Sequence, residues 1–256
     1  MRSTSDAGDG RLLTNIRLGE VTRPEDPRLG DLSRLLERTF ADPNSVLGLD
    51  RIQQFLSESA TDGPRRFHVT VAEHRGPPEV VGLSIFSYVV RSNCGFSEYL
   101  VVDQFLRQRG LARALFDQRK AILDADAVRH GHAACSGLFI EVDNPWRTPA
   151  DLLARESFDP VERLRVFAHF GFRRVALAYT QPPLAPDKDA VDHMDLLFVP
   201  WARASQTDAI PSEWILRTLE PIWSAWTPES AGTYLERLRR ELTTPTVALI
   251  DPLNTT

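Results

Sequence analysis

The sequence is poor in cysteine. Its 256 residues include only Cys94 and Cys135, and two cysteines cannot build the disulfide framework of a small secreted domain. A reducing compartment, the cytoplasm, is the simplest reading. Long hydrophobic runs are also missing. Nothing approaches the roughly 20 consecutive apolar residues that span a bilayer, so no membrane partner is expected. The first ten residues have no apolar core, which argues against a secretory signal and for a disordered tail over 1–12. Positive charge is not in excess: 30 Lys and Arg stand against 35 Asp and Glu, a net charge of −5. Bulk electrostatics therefore gives no reason to expect nucleic acid. The six histidines are scattered and neither cysteine has a ligand partner at useful spacing, so no metal is expected. The Gly-x-Ser-x-Gly elbow of serine hydrolases and the Walker A phosphate loop are both absent.

What is present is an orderly alternation of strand and helix signals. Thr14–Val21 alternates apolar and polar residues, as a strand does. From Arg28 to Phe40, Leu29, Leu32, Leu35 and Leu36 recur at helical spacing. A second short helix is predicted over Asp50–Ala60. Strands follow at Phe67–Glu73, Val80–Val90 and Gly95–Val102, then a helix to about Asp126 and a strand at Ser136–Val142. A helical stretch over Pro149–Phe170, broken near Asp159-Pro160, precedes strands at Arg173–Thr180 and Asp195–Val199. This order predicts an α/β (α+β) domain over 13–200, with a mixed central sheet and helices on both faces. Beyond it, residues 201–256 read as a helical extension. Ser212–Trp226 carries Trp214, Ile215, Leu219, Ile222, Trp223 and Trp226 on one broad stripe, which must be covered by the main domain or a second subunit. Val247–Ile250 could return to the body as a strand.

The most informative stretch is residues 98–116. It reads as a strand, a short loop and a helix start, and it contains Arg107-Gln-Arg-Gly110-Leu-Ala112. The first N–H groups of a helix have no internal partners, and the helix dipole favours an anion there. Gly110 and Ala112 lack bulk, so backbone can approach phosphate oxygens closely. Arg107, Arg109 and Arg113 add positive charge. This stretch resembles motif A of the GNAT superfamily of acyl-CoA-dependent N-acyltransferases. The segment Arg163–Arg174, a helix closing at Gly171-Phe172 before a strand, resembles the family's motif B. Together the likeness covers residues 14–200.

The resemblance implies that acetyl-CoA, or another acyl-CoA, is the co-substrate and a small-molecule or peptide amine the acceptor. It places the cofactor against Leu100, Val101, Val102, Arg107, Gln108, Arg109, Gly110, Leu111, Ala112 and Arg113, with Asn144 and Phe167 completing the groove. It makes Glu98 the candidate base. Strand alternation puts Glu98 with Leu100 and Val102 on one face, where desolvation should raise its pKa. The family's usual general acid is a Tyr at the position occupied here by Phe167, which has no proton to give. Tyr179 is the candidate substitute, and Glu141 could also face the amine. The leading reading is N-acyl transfer, with N-acetyl transfer as default. Two alternatives stay open. One is transfer of a longer chain from CoA or an acyl carrier protein; the other is a non-catalytic acyl-CoA-binding or protein-interaction module. A homodimer is also left open.

Overall fold

The computed structural model describes residues 15–59, 63–76, 79–201 and 208–254. The tail expected over 1–12 lies outside these. Strand β1 is Ile16–Val21, followed by helices α1 (Arg28–Thr39) and α2 (Leu49–Glu58). Strands β2 (Arg65–His74), β3 (Val80–Val89) and β4 (Cys94–Val102) lead to helix α3 (Leu111–Arg129) and strand β5 (Gly137–Asp143). Then come α4 (Ala150–Leu153), α5 (Pro160–His169), β6 (Arg173–Val175) and β7 (Met194–Pro200). The C-terminal segment adds β8 (Ala209–Pro211), α6 (Ser212–Trp226), α7 (Ala231–Glu241) and β9 (Thr246–Ile250).

Among the described residues the sheet has nine strands in the order β1-β2-β3-β4-β5-β7-β6-β9-β8. The β4–β5 pair is parallel, and the other neighbours are antiparallel. The alternation of each strand sorts its side chains into two layers. One layer holds Leu29, Leu32, Leu35 and Leu36 of α1, Phe55 of α2, and Ile215, Leu219, Trp223 and Trp226 of α6. The other holds Leu115, Phe116 and Leu123 of α3 with Leu164 and Phe172. Helices therefore cover both faces of a mixed sheet.

Two sequence expectations change. The strand predicted over Arg173–Thr180 stops at Val175. It pairs with β7 through Arg173 and Arg174 and with β9 through Arg174 and Val175. Leu177 N–H then donates back to the Val175 carbonyl at 2.8 Å, a tight turn that takes Tyr179 out of the sheet. The segment read as a helical extension also supplies β8, which the sequence pattern does not predict; the run Val247–Ile250 does return as a strand, β9, between β6 and β8 in the main sheet.

The Trp stripe is covered by this chain. Trp226 meets Phe96 of β4 edge to face at 5.6 Å, and Trp214 meets Phe198 of β7 at 6.4 Å. The Arg51 guanidinium of α2 donates to the carbonyls of Ala225 and Trp226, at 2.5 and 3.1 Å. Trp226 is only 1% exposed, so Trp226→Ala should cost about 3–5 kcal/mol, which chemical denaturation can read. A truncation after Trp201 should be insoluble or melt far below the full chain. A soluble, monomeric truncation with an unchanged melting temperature would show that α6 packs on the sheet without supporting it.

Candidate functional site

A parallel strand pair that comes apart builds the site. β4 and β5 pair only at Gly95–Leu138, Phe96–Phe139 and Ser97–Ile140. Beyond these, β4 follows β3 to Val102 while β5 follows β7 to Asp143. The edge of β4 from Glu98 onward thus has no ladder on its β5 side, and a cleft of about 840 Å³ opens between the strands. Leu100, Val101 and Val102 form one wall, Ile140 and Val142 the other, and Phe167 and Phe170 close the helical side.

At one end the cleft reaches the start of α3. Gln108 and Gly110 both adopt left-handed backbone, with φ of 63° and 77°. For Gln108, which has a Cβ, this costs roughly 1–3 kcal/mol and is a strained position held by its surroundings. Residues of alternating hand turn successive N–H groups to one side, forming an anion-binding concavity. The first intrahelical bond is Ala114 N–H to the Gly110 carbonyl at 3.0 Å. The N–H groups of Leu111, Ala112 and Arg113 therefore lie ahead of the helical ladder, with no side-chain cap from Gly110.

The other end holds two buried carboxylates. The β3–β4 register slips between Ile85–Tyr99 and Phe86–Ser97, so Glu98 is the extra residue of a β-bulge. The bulge overturns the alternation expected from sequence. Ser97 Oγ accepts from Arg119 on the α3 side, while Glu98 Oε1 accepts from Ser87 Oγ at 2.9 Å. Ser87 belongs to the opposite face, as do Tyr99 and Val101. Glu98 thus shares its face with Tyr99, not with Leu100 and Val102. Its side chain is 2% exposed, with Arg65 Nη1 3.7 Å from Oε1. Burial pushes its pKa up to about 7, against the pull of the Arg65 guanidinium.

Glu141 of β5 lines the same end. Its Oε1 accepts from the Tyr179 hydroxyl and its Oε2 from Gln181 Nε2 at 2.6 Å. Burial pushes it up to about 7, with the nearby Glu98 carboxylate acting in the same direction. Tyr99, Ser45, Phe40 and Met194 complete this end. The Tyr99 hydroxyl donates to the Ser45 carbonyl and accepts from Leu47 N–H, both at 2.8 Å.

No model of a known protein family matches the sequence, and no curated protein matches it. Solved structures do match. A Bacteroides thetaiotaomicron protein described as an acetyltransferase of the GNAT family aligns with a TM-score of 0.52 and 16% identity, over 79% of this chain and 94% of that one. The chain has the GNAT fold. Also matched is the ribosomal-protein-S18-alanine N-acetyltransferase of Escherichia coli, with TM-score 0.44 and 15% identity over 75% of this chain and 97% of that one. A GNAT-family structure from Desulfovibrio desulfuricans gives 0.47 and 17% over 73% and 99%.

On this GNAT fold most of the predicted cofactor residues meet in the cleft. Leu100, Val101, Val102, Arg107, Gln108, Gly110, Leu111, Ala112, Arg113 and Phe167 line it. Arg109 is not among the lining residues. Arg107 lines it without offering its charge: Nη1 donates to the Ser157 carbonyl at 2.7 Å, Nε to the Val102 carbonyl at 3.3 Å, and the guanidinium sits 4.8 Å from the Phe158 ring. It ties the loop before α3 to the loop before α5. Asn144 lies outside the lining; its side chain donates to Asp195 at 2.9 Å and accepts from Trp146 N–H, which is turn chemistry. Tyr179 is also outside the lining and acts on the site only through Glu141.

Sequence reasoning passed over Tyr99, Ser45 and Gln181. Tyr99 was legible as the neighbour of Glu98, but only the bulge brings both to one side. Gln181 arrives from the Pro-rich segment through its bridge to Val191, a pairing with no sequence signal.

Among the described residues no group of three His, Cys, Asp or Glu is placed to hold a metal ion, and no helix is long and apolar enough to cross a membrane. The buried acids set a stability test. Glu141 has a folded pKa raised from 4.5 to about 7, so its contribution is intact below pH 4.5 and is lost as pH rises through 7. Glu141→Gln never ionises. It should gain stability relative to the parent between pH 5 and pH 8, by on the order of 1–3 kcal/mol. Melting curves at the two pH values check this; a constant offset would mean that Glu141 titrates normally.

Proposed function

We propose that this protein is an acyl-CoA-dependent N-acyltransferase, with acetyl-CoA the default donor. The carrying observation is the cleft between β4 and β5, with uncommitted helix-start N–H groups at one end and a buried carboxylate on a β-bulge at the other. The fold match supports this reading, and so do the residues, taken one by one. The left-handed Gly110 and the N–H groups of Leu111, Ala112 and Arg113 fit a pyrophosphate. The unpaired edge of β4 fits the amides of a pantetheine arm, as an added strand would. The apolar walls at Ile140, Val142, Phe167 and Phe170 exclude water along it.

A thioester supplies an electrophilic carbonyl and a good leaving group. The protein must hold the amine neutral and aimed. Glu98, with a pKa near 7 and an unpartnered Oε2, suits the proton transfer, directly or through one water. The Phe at 167 does not obstruct the reaction. An ordinary thiol has a pKa of about 8.5, so the thiolate departs near neutrality without a dedicated acid.

Incubation with acetyl-CoA and an amine panel, read by free-thiol release, tests the activity. Glu98→Gln should lower the rate by roughly 10²–10⁴ while acetyl-CoA still binds. In the parent, kcat/KM should rise with pH through about 7 as Glu98 ionises, and this limb should vanish in the variant. Gly110→Glu places both a Cβ and a negative charge where pyrophosphate would sit. Calorimetry showing unchanged CoA affinity in the folded variant would remove the α3 start from the binding site.

A further inference from the structure

Among the described residues, the buried side-chain polar atoms of the cleft lining that lack protein partners are all acceptors when Glu98 is ionised. Glu98 Oε2 and Gln181 Oε1 are buried and have none. The Gln181 amide is oriented by its Nε2, which donates to Glu141, so its Oε1 is the free atom. Glu141 has acceptor capacity beyond the two bonds that it receives. Such a set calls for a ligand that only donates. A primary ammonium offers three N–H donors and one positive charge, and two carboxylates side by side are stabilised by a cation between them.

The cations near this end cannot serve an anion. Arg65 is buried behind Glu98, its guanidinium 4.1 Å from the Phe55 ring and donating to Ser87 at 3.2 Å. Arg163 spends one arm on Asp143 at 2.8 Å and the other on Glu156. Arg119 lies on the opposite face of the sheet, donating to Ser97 at 2.5 Å. The Lys188 ammonium donates to the Pro43 carbonyl at 2.5 Å and does not line the cleft. The remaining arginines of the lining, Arg107 and Arg113, belong to the α3 end. Phe40, Tyr99 and Met194 supply the apolar wall.

We infer that the acceptor is a primary amine with an apolar substituent and no carboxylate or phosphate beside its amino group, its ammonium received by Glu98, Gln181 and Glu141. This rests on the acyltransferase reading and narrows it: amines and amides of amino acids fit, and free α-amino acids do not. An α-carboxylate would be buried against two carboxylates with no cation to meet it. Such like-charge placement costs several kcal/mol, a discrimination of about 100-fold or more.

Three acceptors matched in their side chain decide it: 2-phenylethylamine, phenylalaninamide and free phenylalanine, each with acetyl-CoA and the full chain. The first two should be acylated, with free phenylalanine lower in kcat/KM by about 100-fold or more. Gln181→Leu should raise KM for the amines and leave the affinity for acetyl-CoA unchanged. Free phenylalanine acylated within tenfold of its amide would overturn the inference and leave acyl transfer standing. If none of the three is acylated although the amine panel shows acyl transfer, the inference is overturned and the acyltransferase reading stands. If nothing in the panel is acylated although calorimetry shows acetyl-CoA binding, the acyltransferase reading falls and the inference falls with it.

Discussion

The parting of β4 from β5 is the constraint on which the rest depends. A sheet interior normally satisfies every backbone group by its neighbours, and leaving several unpaired is costly unless something else takes them. Here the pairing stops after Ser97 and Ile140 although both strands run on. The sheet stays intact because each strand keeps its outer neighbour: β4 keeps β3 with eight paired positions, and β5 keeps β7 with seven. The opening is thus a wedge cut into an otherwise continuous sheet. Both faces at the wedge must then be covered, by α3 and α5 on one side and by α1, α2 and α6 on the other.

The wedge is also where charge is buried against its preference. Glu98 and Glu141 are held where ionisation is disfavoured, and behind them, on the opposite face of the sheet, the fully buried Arg119 has its pKa lowered by burial to about 9. Arg119 Nε and Nη2 lack protein partners. None of these groups is what a stable core would select, since buried charges stabilise only when paired and fully hydrogen-bonded. Elsewhere the same protein pairs its buried charges. His68 contacts Glu20 at 2.8 Å and Asp126 at 2.6 Å, and Asp126 also meets Arg66 and Arg129. That network holds the far end of α3 to β2. The contrast separates a structural ion cluster, closed on itself, from a site with acceptors still free.

How much of this is legible in the sequence follows from period and sign. The helices α1 and α2 announce themselves because their buried residues are all apolar, at Leu29, Leu32, Leu35 and Leu36 and at Ile52, Phe55 and Leu56. Helix α3 hides its buried stripe, because Arg119 and Asp126 sit in it. The α3 start is legible because glycine and arginine at a strand-to-helix joint carry a local mechanism. The Glu98 environment is not, because alternation holds only until a bulge resets it, and a bulge depends on the partner strand. Arg107 shows a similar limit. Its charge is visible in sequence, but the acceptor that claims it, the Ser157 carbonyl, lies fifty positions away.

The C-terminal segment is bound up with the chemistry by the same geometry. The Trp223 ring of α6 lies 6.0 Å from Tyr179, and Tyr179 donates to Glu141. Tyr179 is outside the sheet because β6 ends early, and β6 is flanked on one side by β9 from the same C-terminal segment. The segment therefore acts twice: β9 fixes the short strand from which Tyr179 departs, and α6 packs against the ring once it has departed. A hydroxyl placed by packing from two directions holds a carboxylate in one orientation more firmly than a surface loop could. The segment beyond β7 thus packs against the tyrosine that donates to Glu141, which ties the C-terminal helix to one wall of the cleft through two contacts.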